Sequence, residues 1–441
     1  MRLKKLAALI MLPLCQEFHT VNAQSFLTDT MDSTTSIGQK TYLLDSKNDK
    51  LRFGGYLQPQ FQWAEEKGAK SFAGGDFAPN SDNRFMLRRG RLRIDYAHYS
   101  PEGLPRTFFV FQFDGTERGV FIRDFFGRFY ENKLQMFALT MGMFARPMGY
   151  EVNLTSFDRE SPERGRMSQT LMKTERDIGA MITFEPRKKT SNFRWLKIDL
   201  GLFNGQGLSG TTDYDSHKDL IGRIAMKPRK LNKKGWTLGV AASGYYGGIT
   251  SQSAIVYKVD GSGNNAYFRP DSAAANVGVI TPRRYYGADA QFRIPNKKGY
   301  TEFRAEYIGG QQTATATTTE TPGSYPTDAA SKPAPLYTRN FNGAYFYFLQ
   351  HLGTDRVQLV LKYDWYDPNK KVKGKEVDPT HGFTQADIRY DTYGGGLVYY
   401  INTHLKATVY YDWVVNESTS IAGYTSDIKD NILTCRLQFR F

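Results

Sequence analysis

The chain has 441 residues and a formal net charge of +14, with 30 Phe, 28 Tyr and only 2 Cys. Two cysteines exclude a disulfide-built scaffold, and no window after Ala23 reaches the roughly 18 apolar residues of a helical membrane span. A polar-average, aromatic-rich chain of this length is either several soluble domains or one large barrel, and the residue pattern decides between them.

Residues 1–23 read as an export leader. Arg2, Lys4 and Lys5 precede an apolar run from Leu6 to Leu14, and Val21, Asn22 and Ala23 supply a cleavage region. That run falls well short of the roughly 20 residues needed to cross a bilayer, which disfavours an anchor. Cys15 as a lipid-modified residue is disfavoured by Leu14, which is large for that cut. Removal of the leader takes away three basic residues and Glu17, and it leaves Cys435 as a lone thiol. Residues 24–50 lack alternation and are rich in Thr, Ser and Asp, as expected of a periplasmic lead-in; 51–441 is the expected barrel.

Alternation then marks sixteen strands, at about 52–64, 84–98, 105–114, 119–130, 134–144, 176–185, 193–203, 218–228, 236–247, 284–294, 300–310, 338–351, 356–367, 385–401, 404–416 and 431–441. Their connections alternate long and short, broken only by the short link at 115–118. Outer-membrane barrels combine long extracellular loops with short periplasmic turns, so both ends of the barrel fall on the periplasmic side. In 357–366, Val357, Leu359, Leu361, Tyr363 and Trp365 share a dry face opposite Gln358, Lys362 and Asp364. In 405–413, Leu405, Ala407, Val409, Tyr411 and Trp413 oppose Lys406, Thr408, Tyr410 and Asp412. At the end of the chain Leu433, Cys435, Leu437, Phe439 and Phe441 oppose Thr434, Arg436, Gln438 and Arg440. A soluble sandwich also alternates, but it has no need of Trp and Tyr near the ends of so many dry faces. The fold class predicted is all-β: a 16-stranded antiparallel transmembrane β-barrel in the outer membrane of a Gram-negative bacterium.

Function then falls to the wet face, because sixteen strands enclose an aqueous channel. Arg89, Arg91, Arg93, Arg106, Arg304, Arg356, Lys362, Lys406, Arg436 and Arg440 outnumber Asp95, Asp114, Glu302, Glu306, Asp364 and Asp412. A basic lumen concentrates anions, and guanidinium groups hold phosphate or carboxylate bidentately. Arg89, Arg91 and Arg93 alternate, which places them about 6.8 Å apart on one face as a ladder. The alternative is a solvated wall balanced by neighbouring acids. The loop 145–175 is the second candidate. Arg146, Arg159, Arg164, Arg166 and Lys173 accompany Glu151, Asp158, Glu160 and Glu163, and opposed charges at a constriction filter polar solutes. An ordinary surface loop with internal ion pairs is the competing reading.

Enzyme readings find little support. His98, His217, His351, His381 and His404 form no metal pair at helical spacing, and no Gly-x-Ser-x-Gly occurs. Asp213, Asp215 and Asp219 offer a weak calcium loop that lacks the closing Glu and central Gly. No cofactor and no nucleic-acid partner are expected, the basic residues being spread among strands.

The stretches "RRGRLRIDY" (88–96), "RDFFGRF" (123–129), "MGMFARPMGYE" (141–151), "ERDIGAM" (175–181) and "GLFNGQG" (201–207) together resemble the phosphate-selective porin O and P family, over roughly Phe53 to Gly207. The resemblance implies a trimeric sixteen-stranded porin with an arginine ladder at Arg89, Arg91 and Arg93, an acid at Asp124 and an inward-folded loop at 145–175. The family's phosphate channels carry a lysine cluster at the narrowest point, whereas this loop holds only Lys173. General anion preference is therefore expected rather than high-affinity phosphate selection. The expected function is passive diffusion of small hydrophilic solutes, preferably anions such as phosphate, with outer-membrane lipid and a homotrimer as partners. The alternative is a structural, adhesive or ligand-binding barrel with a plugged lumen.

Overall fold

Strict alternation becomes a closed wall. The computed structural model describes residues 48–210 and 212–441, so the expected leader and the lead-in up to 47 lie outside the described residues. The strands are β1 (Asp49–Ala64), β2 (Asn83–Tyr99), β3 (Pro105–Thr116), β4 (Gly119–Tyr130), β5 (Phe137–Ala145), β6 (Arg176–Phe184), β7 (Leu196–Phe203), β8 (Asp219–Lys230) and β9 (Thr237–Thr250). They continue as β10 (Ile255–Asp260), β11 (Tyr267–Ser272), β12 (Ile280–Asn296), β13 (Gly299–Ala314), β14 (Leu336–His351), β15 (Val357–Asp367), β16 (Tyr390–Tyr400), β17 (Leu405–Asn416) and β18 (Ile432–Arg440).

Sixteen of these close the antiparallel barrel, with β9 passing directly to β12 and β18 returning to β1. At the seam Tyr56 stands opposite Arg440, Phe61 opposite Cys435 and Ala64 opposite Ile432. Closure pairs backbone groups that lipid could not satisfy. The link between β3 and β4 is the tight turn that the sequence predicted.

Several boundaries differ from expectation by a few residues, three of them for identifiable local reasons. The first strand takes in the end of the lead-in, because Asp49 pairs with His98 across β2. β5 starts late because the Glu131 carboxylate accepts from the Leu134 and Met136 N–H groups and holds a turn there. β16 starts late because Thr384 caps a 3₁₀ turn over Gln385–Asp387. The expected open loop 248–283 instead contains the hairpin β10–β11, and β10 adds in parallel to the start of β14. This hairpin stands beyond the membrane wall, so it carries no two-faced pattern to betray it.

Outward residues are apolar: Val409 and Trp413 are exposed to 52% and 51%, whereas inward Thr434 is wholly buried. Aromatic belts flank the band. On the loop side Tyr363, Trp365, Tyr393 and Trp413 touch in series, with ring centroids 5.0 to 5.7 Å apart. On the turn side lie the pairs Phe109–Phe129, Phe137–Phe184, Phe303–Phe348 and Trp236–Phe292. An apolar band between two aromatic girdles is the surface of an outer-membrane barrel, with the turn side in the periplasm.

Candidate functional site

The loop 146–175 folds into the lumen, and its own apolar residues explain how. Met148, Val152, Met167, Leu171 and Met172 are buried against Phe203, Ile221, Tyr285, Ile308, Phe341 and other wall residues. The result is a dry core inside the barrel that pins the loop to one side. Close approach is built into the backbone. Gly149 has φ +68°, and a Cβ there would stand 1.9 Å from the Glu306 carboxylate, which accepts instead from the Tyr150 and Glu151 N–H groups at 3.0 Å each. Residues Arg166–Leu171 form a short helix, α1. Both Glu151 carboxylate oxygens accept from the Gly165 N–H, and Asp364 accepts from the Arg166 N–H at 3.2 Å, so acids occupy the start of α1.

Charge fastens the free side of the loop. β2 carries a bulge between the pairs Leu57–Gly90 and Pro59–Leu87, which sets Arg88 and Arg89 together opposite Gln58. Both hold Glu163, Arg88 at 3.0 Å and Arg89 at 2.6 Å, and Arg436 reaches the same carboxylate at 2.9 Å. Burial raises the Glu163 carboxyl, but the charges of Arg88, Arg89 and Arg436 outweigh it and hold the group well below the usual carboxylate range. A second bulge, in β4, turns Arg123 inward beside Asp124. Arg123 pairs with Glu175 at 2.6 Å, Arg164 binds that carboxylate's other oxygen, and Arg176 spans Glu175 and Asp124. Glu175 is likewise held low against its burial by Arg123, Arg164 and Arg176.

The predicted residues distribute as follows. Arg91 pairs with Asp114 at 3.1 Å and Arg93 with Asp95 at 2.7 Å. Arg304 binds Glu160 through two nitrogens, at 2.7 and 2.9 Å, and Glu302 at 2.6 Å. Lys362 lies 3.0 Å from Asp364 and 3.6 Å from Glu151. Lys406 donates to the carbonyls of Phe157 (2.6 Å) and Arg159 (3.2 Å), and Arg440 covers the Phe157 ring at 4.5 Å. Arg106 and Arg356 are exposed, Arg106 near the turn-side end of β3 and Arg356 just before β15. Within the loop, Arg146 donates to Thr174 O (2.6 Å), Arg159 to Pro162 O (3.1 Å), and Arg166 stacks on Tyr390 at 3.5 Å. Lys173 is exposed and paired with Glu320.

Opposed charges were expected at the constriction, with an internal ion-pair network as the competing reading. They are largely joined in contacts, because isolated charges this deeply buried would be costly. Asp213, Asp215 and Asp219 diverge to Lys218, Thr250 and Arg283, so they form no calcium cradle. Sequence reasoning missed Arg88, Arg123, Glu175 and Arg176. The first two sit at bulges that reset parity; the clustering "RR" and "RD" was the available signal.

Cavities lie on both sides of the loop. One of 890 Å³ on the loop side is lined by Phe72, Arg166, Lys173, Glu320 and Tyr390. It shares Phe72, Arg166 and Asp430 with a 40 Å³ space reaching Glu163, Lys362 and Asp412. A third, of 390 Å³, opens on the turn side at Phe157, Arg304, Lys406 and Gln438. Burial raises the Asp430 carboxyl to about 7 although Arg166 opposes it, so the folded protein holds this proton more tightly than an unfolded chain would. Its stabilising contribution is full below the ordinary value of 3.8 and is lost as pH rises through about 7. Asp430→Asn is expected to flatten that slope, read as the temperature of heat-modifiable gel mobility against pH; an unchanged slope would assign it elsewhere.

No protein-family model matches the chain, and no curated protein matches it. Solved structures do. The outer membrane channel DcaP of Acinetobacter baumannii is 11% identical with a TM-score of 0.52, covering 90% of this chain and 99% of its own. OmpF of Salmonella typhi, in complex with daunomycin, is 13% identical with a TM-score of 0.53, covering 89% and 98%. An anion-selective porin from Comamonas acidovorans is 10% identical with a TM-score of 0.50, covering 89% and 100%. The fold is therefore that of the outer-membrane porins, a closed antiparallel barrel of sixteen strands.

Proposed function

We propose that the protein is a passive diffusion porin for small hydrophilic solutes, with anions such as phosphate favoured and a homotrimer as the working assembly. The observation that carries this reading is an inward-folded loop with a cavity on either side, set against a wall bearing Arg88, Arg89, Lys406 and Arg436. Arg89, Arg91 and Arg93 serve as the ladder in this reading, with the loop as constriction and Asp124 as the acid that positions Arg176. Most of these cations already have acid partners, so anion preference would fall chiefly to groups that meet carbonyls or rings: Lys406 and Arg440 at the turn-side mouth. Lys173 lines the wide loop-side cavity and not the narrow space, which supports general anion preference over phosphate capture.

Single-channel recording across a potassium chloride gradient tests this. An anion-selective reversal potential is expected, and Lys406→Glu with Arg440→Glu is expected to shift it toward cations at preserved conductance. A cation-selective wild type would overturn the anion preference. A second reading, a plugged barrel whose loops bind a partner, is favoured by the 40 Å³ size of the central space; absence of conductance would establish it. Gel mobility before and after heating tests the trimer.

A further inference from the structure

The charged clusters of the lumen belong to the site already described, but the extracellular loops carry a pocket that does not. The β10–β11 hairpin packs on the 368–389 loop through Phe268, whose ring lies 5.3 Å from Phe383 and 5.0 Å from Tyr337. Val372, Val377 and Ile388 complete this core, and the buried ion pair of Arg339 and Asp387, at 2.8 Å, ties β14 to the same loop. The hairpin is thus a fixed platform rather than a free tip. A cavity of 410 Å³ opens on it, lined by Tyr257, Tyr267, Phe268, Tyr337, Thr380 and His381.

We propose that this pocket binds a neutral pyranose ring of an oligosaccharide. Tyr257 and Tyr337 face each other in parallel register, with centroids 4.4 Å apart and planes within 12°. Covering each other, they form a rigid wall rather than a box, and the exposed ring of Tyr267 on the same cavity is left as the flat surface for the C–H face of a sugar. Polar groups stand at its edge: Tyr267 is 42% exposed, His381 is exposed, and Thr380 Oγ1, having given its proton to Asp378 at 2.7 Å, presents lone pairs. Aromatic side chains interleaved with hydroxyl and imidazole groups give the cavity both a surface to stack on and groups to orient a polar ligand. A quaternary ammonium ion fits less well. It needs rings that enclose it, whereas these two cover each other, and Arg339 already holds the cation position 5.1 Å from Phe268 and 5.7 Å from Tyr337.

None of the seven lining residues, Gly382 being the seventh, borders the lumen cavities, so binding and conductance are separable. The test is calorimetric titration of the full-length protein in detergent with maltohexaose, cellohexaose, polysaccharide released from smooth lipopolysaccharide, and choline. Binding of at least one sugar is expected, weakened about tenfold or more, equivalent to ~1.4 kcal/mol, by Tyr267→Ala and by His381→Ala, and retained by Tyr267→Trp. Single-channel conductance should be unchanged in all three variants, which certifies their folding. Binding of a hexasaccharide identifies a free solute as the source, and binding of the released polysaccharide alone identifies a cell-surface glycan; both support the site. Absence of sugar binding, preferential choline binding, or sugar binding indifferent to both alanine variants would overturn it.

Discussion

Glu163→Gln is expected to give a more conductive, noisier and more strongly anion-selective channel. One carboxylate serves Arg88, Arg89 and Arg436 at 3.0 Å or less, and Arg159 stands 3.8 Å away. The amide removes the negative charge and leaves these guanidinium groups facing one another where water is scarce. Breaking a buried pair from one side costs about 3–5 kcal/mol, enough to release a loop segment without unfolding the wall. Planar-bilayer recordings would show a larger unitary current and a reversal potential displaced toward the anion limit. Unchanged current and selectivity would show that the loop is held by its apolar side alone. The pH dependence has a definite sign. Glu163 and Glu175 are held below the ordinary carboxyl value of 4.5, so their stabilisation is present above that value and disappears only as pH falls through the depressed one. The loop should therefore stay fastened by these two groups down to about pH 5, and the Glu163 part of any more acidic transition in current should vanish in the variant.

The second large effect concerns the dry core. Met167→Ala together with Leu171→Ala removes two fully buried side chains of α1, each substitution costing about 2–5 kcal/mol, with imperfect additivity between neighbours. Met167 packs on Gly343, where a Cβ would come within 2.8 Å of the Met167 sulfur, so little space exists for the surroundings to collapse into. The expected result is protease cleavage within 146–175 and flickering current, while the barrel keeps its heat-modifiable mobility because its strand ladders are untouched. A protected loop would mean that the ion pairs suffice.

The wall was legible in the sequence because lipid and lumen impose opposite solvents on adjacent residues. Leu359 and Leu361 against Gln358 and Lys362 show this without any tertiary information. Loop 145–175 was legible as a place but not as a packing. Met148 and Met167 find their partners on distant strands, and no local period announces such contacts. The hairpin at Ile255–Ser272 was hidden because beyond the membrane wall its strands show no two-faced pattern, and its docking strand, Leu336–Thr338, lies far along the chain. Alternation put Lys362, Arg304 and Arg436 on one face, and they meet Glu151, Glu160 and Glu163 of the loop; it missed Arg88 and Arg123 because one extra residue in each strand displaces the count.

Those extra residues have a consequence for length variation. Along most of a membrane strand, losing a single residue would turn every side chain beyond it into the wrong medium. At Arg88–Arg89 and at Arg123 it would not: without the supernumerary residue, Arg84 and Arg91 still face inward and Ile122 and Asp124 keep opposite faces. These are the natural points for one-residue deletions among descendants of this chain. Because each extra arginine reaches an acid of the lumen loop, a lineage that shortens either strand should relax its hold on Glu163 or Glu175 in step.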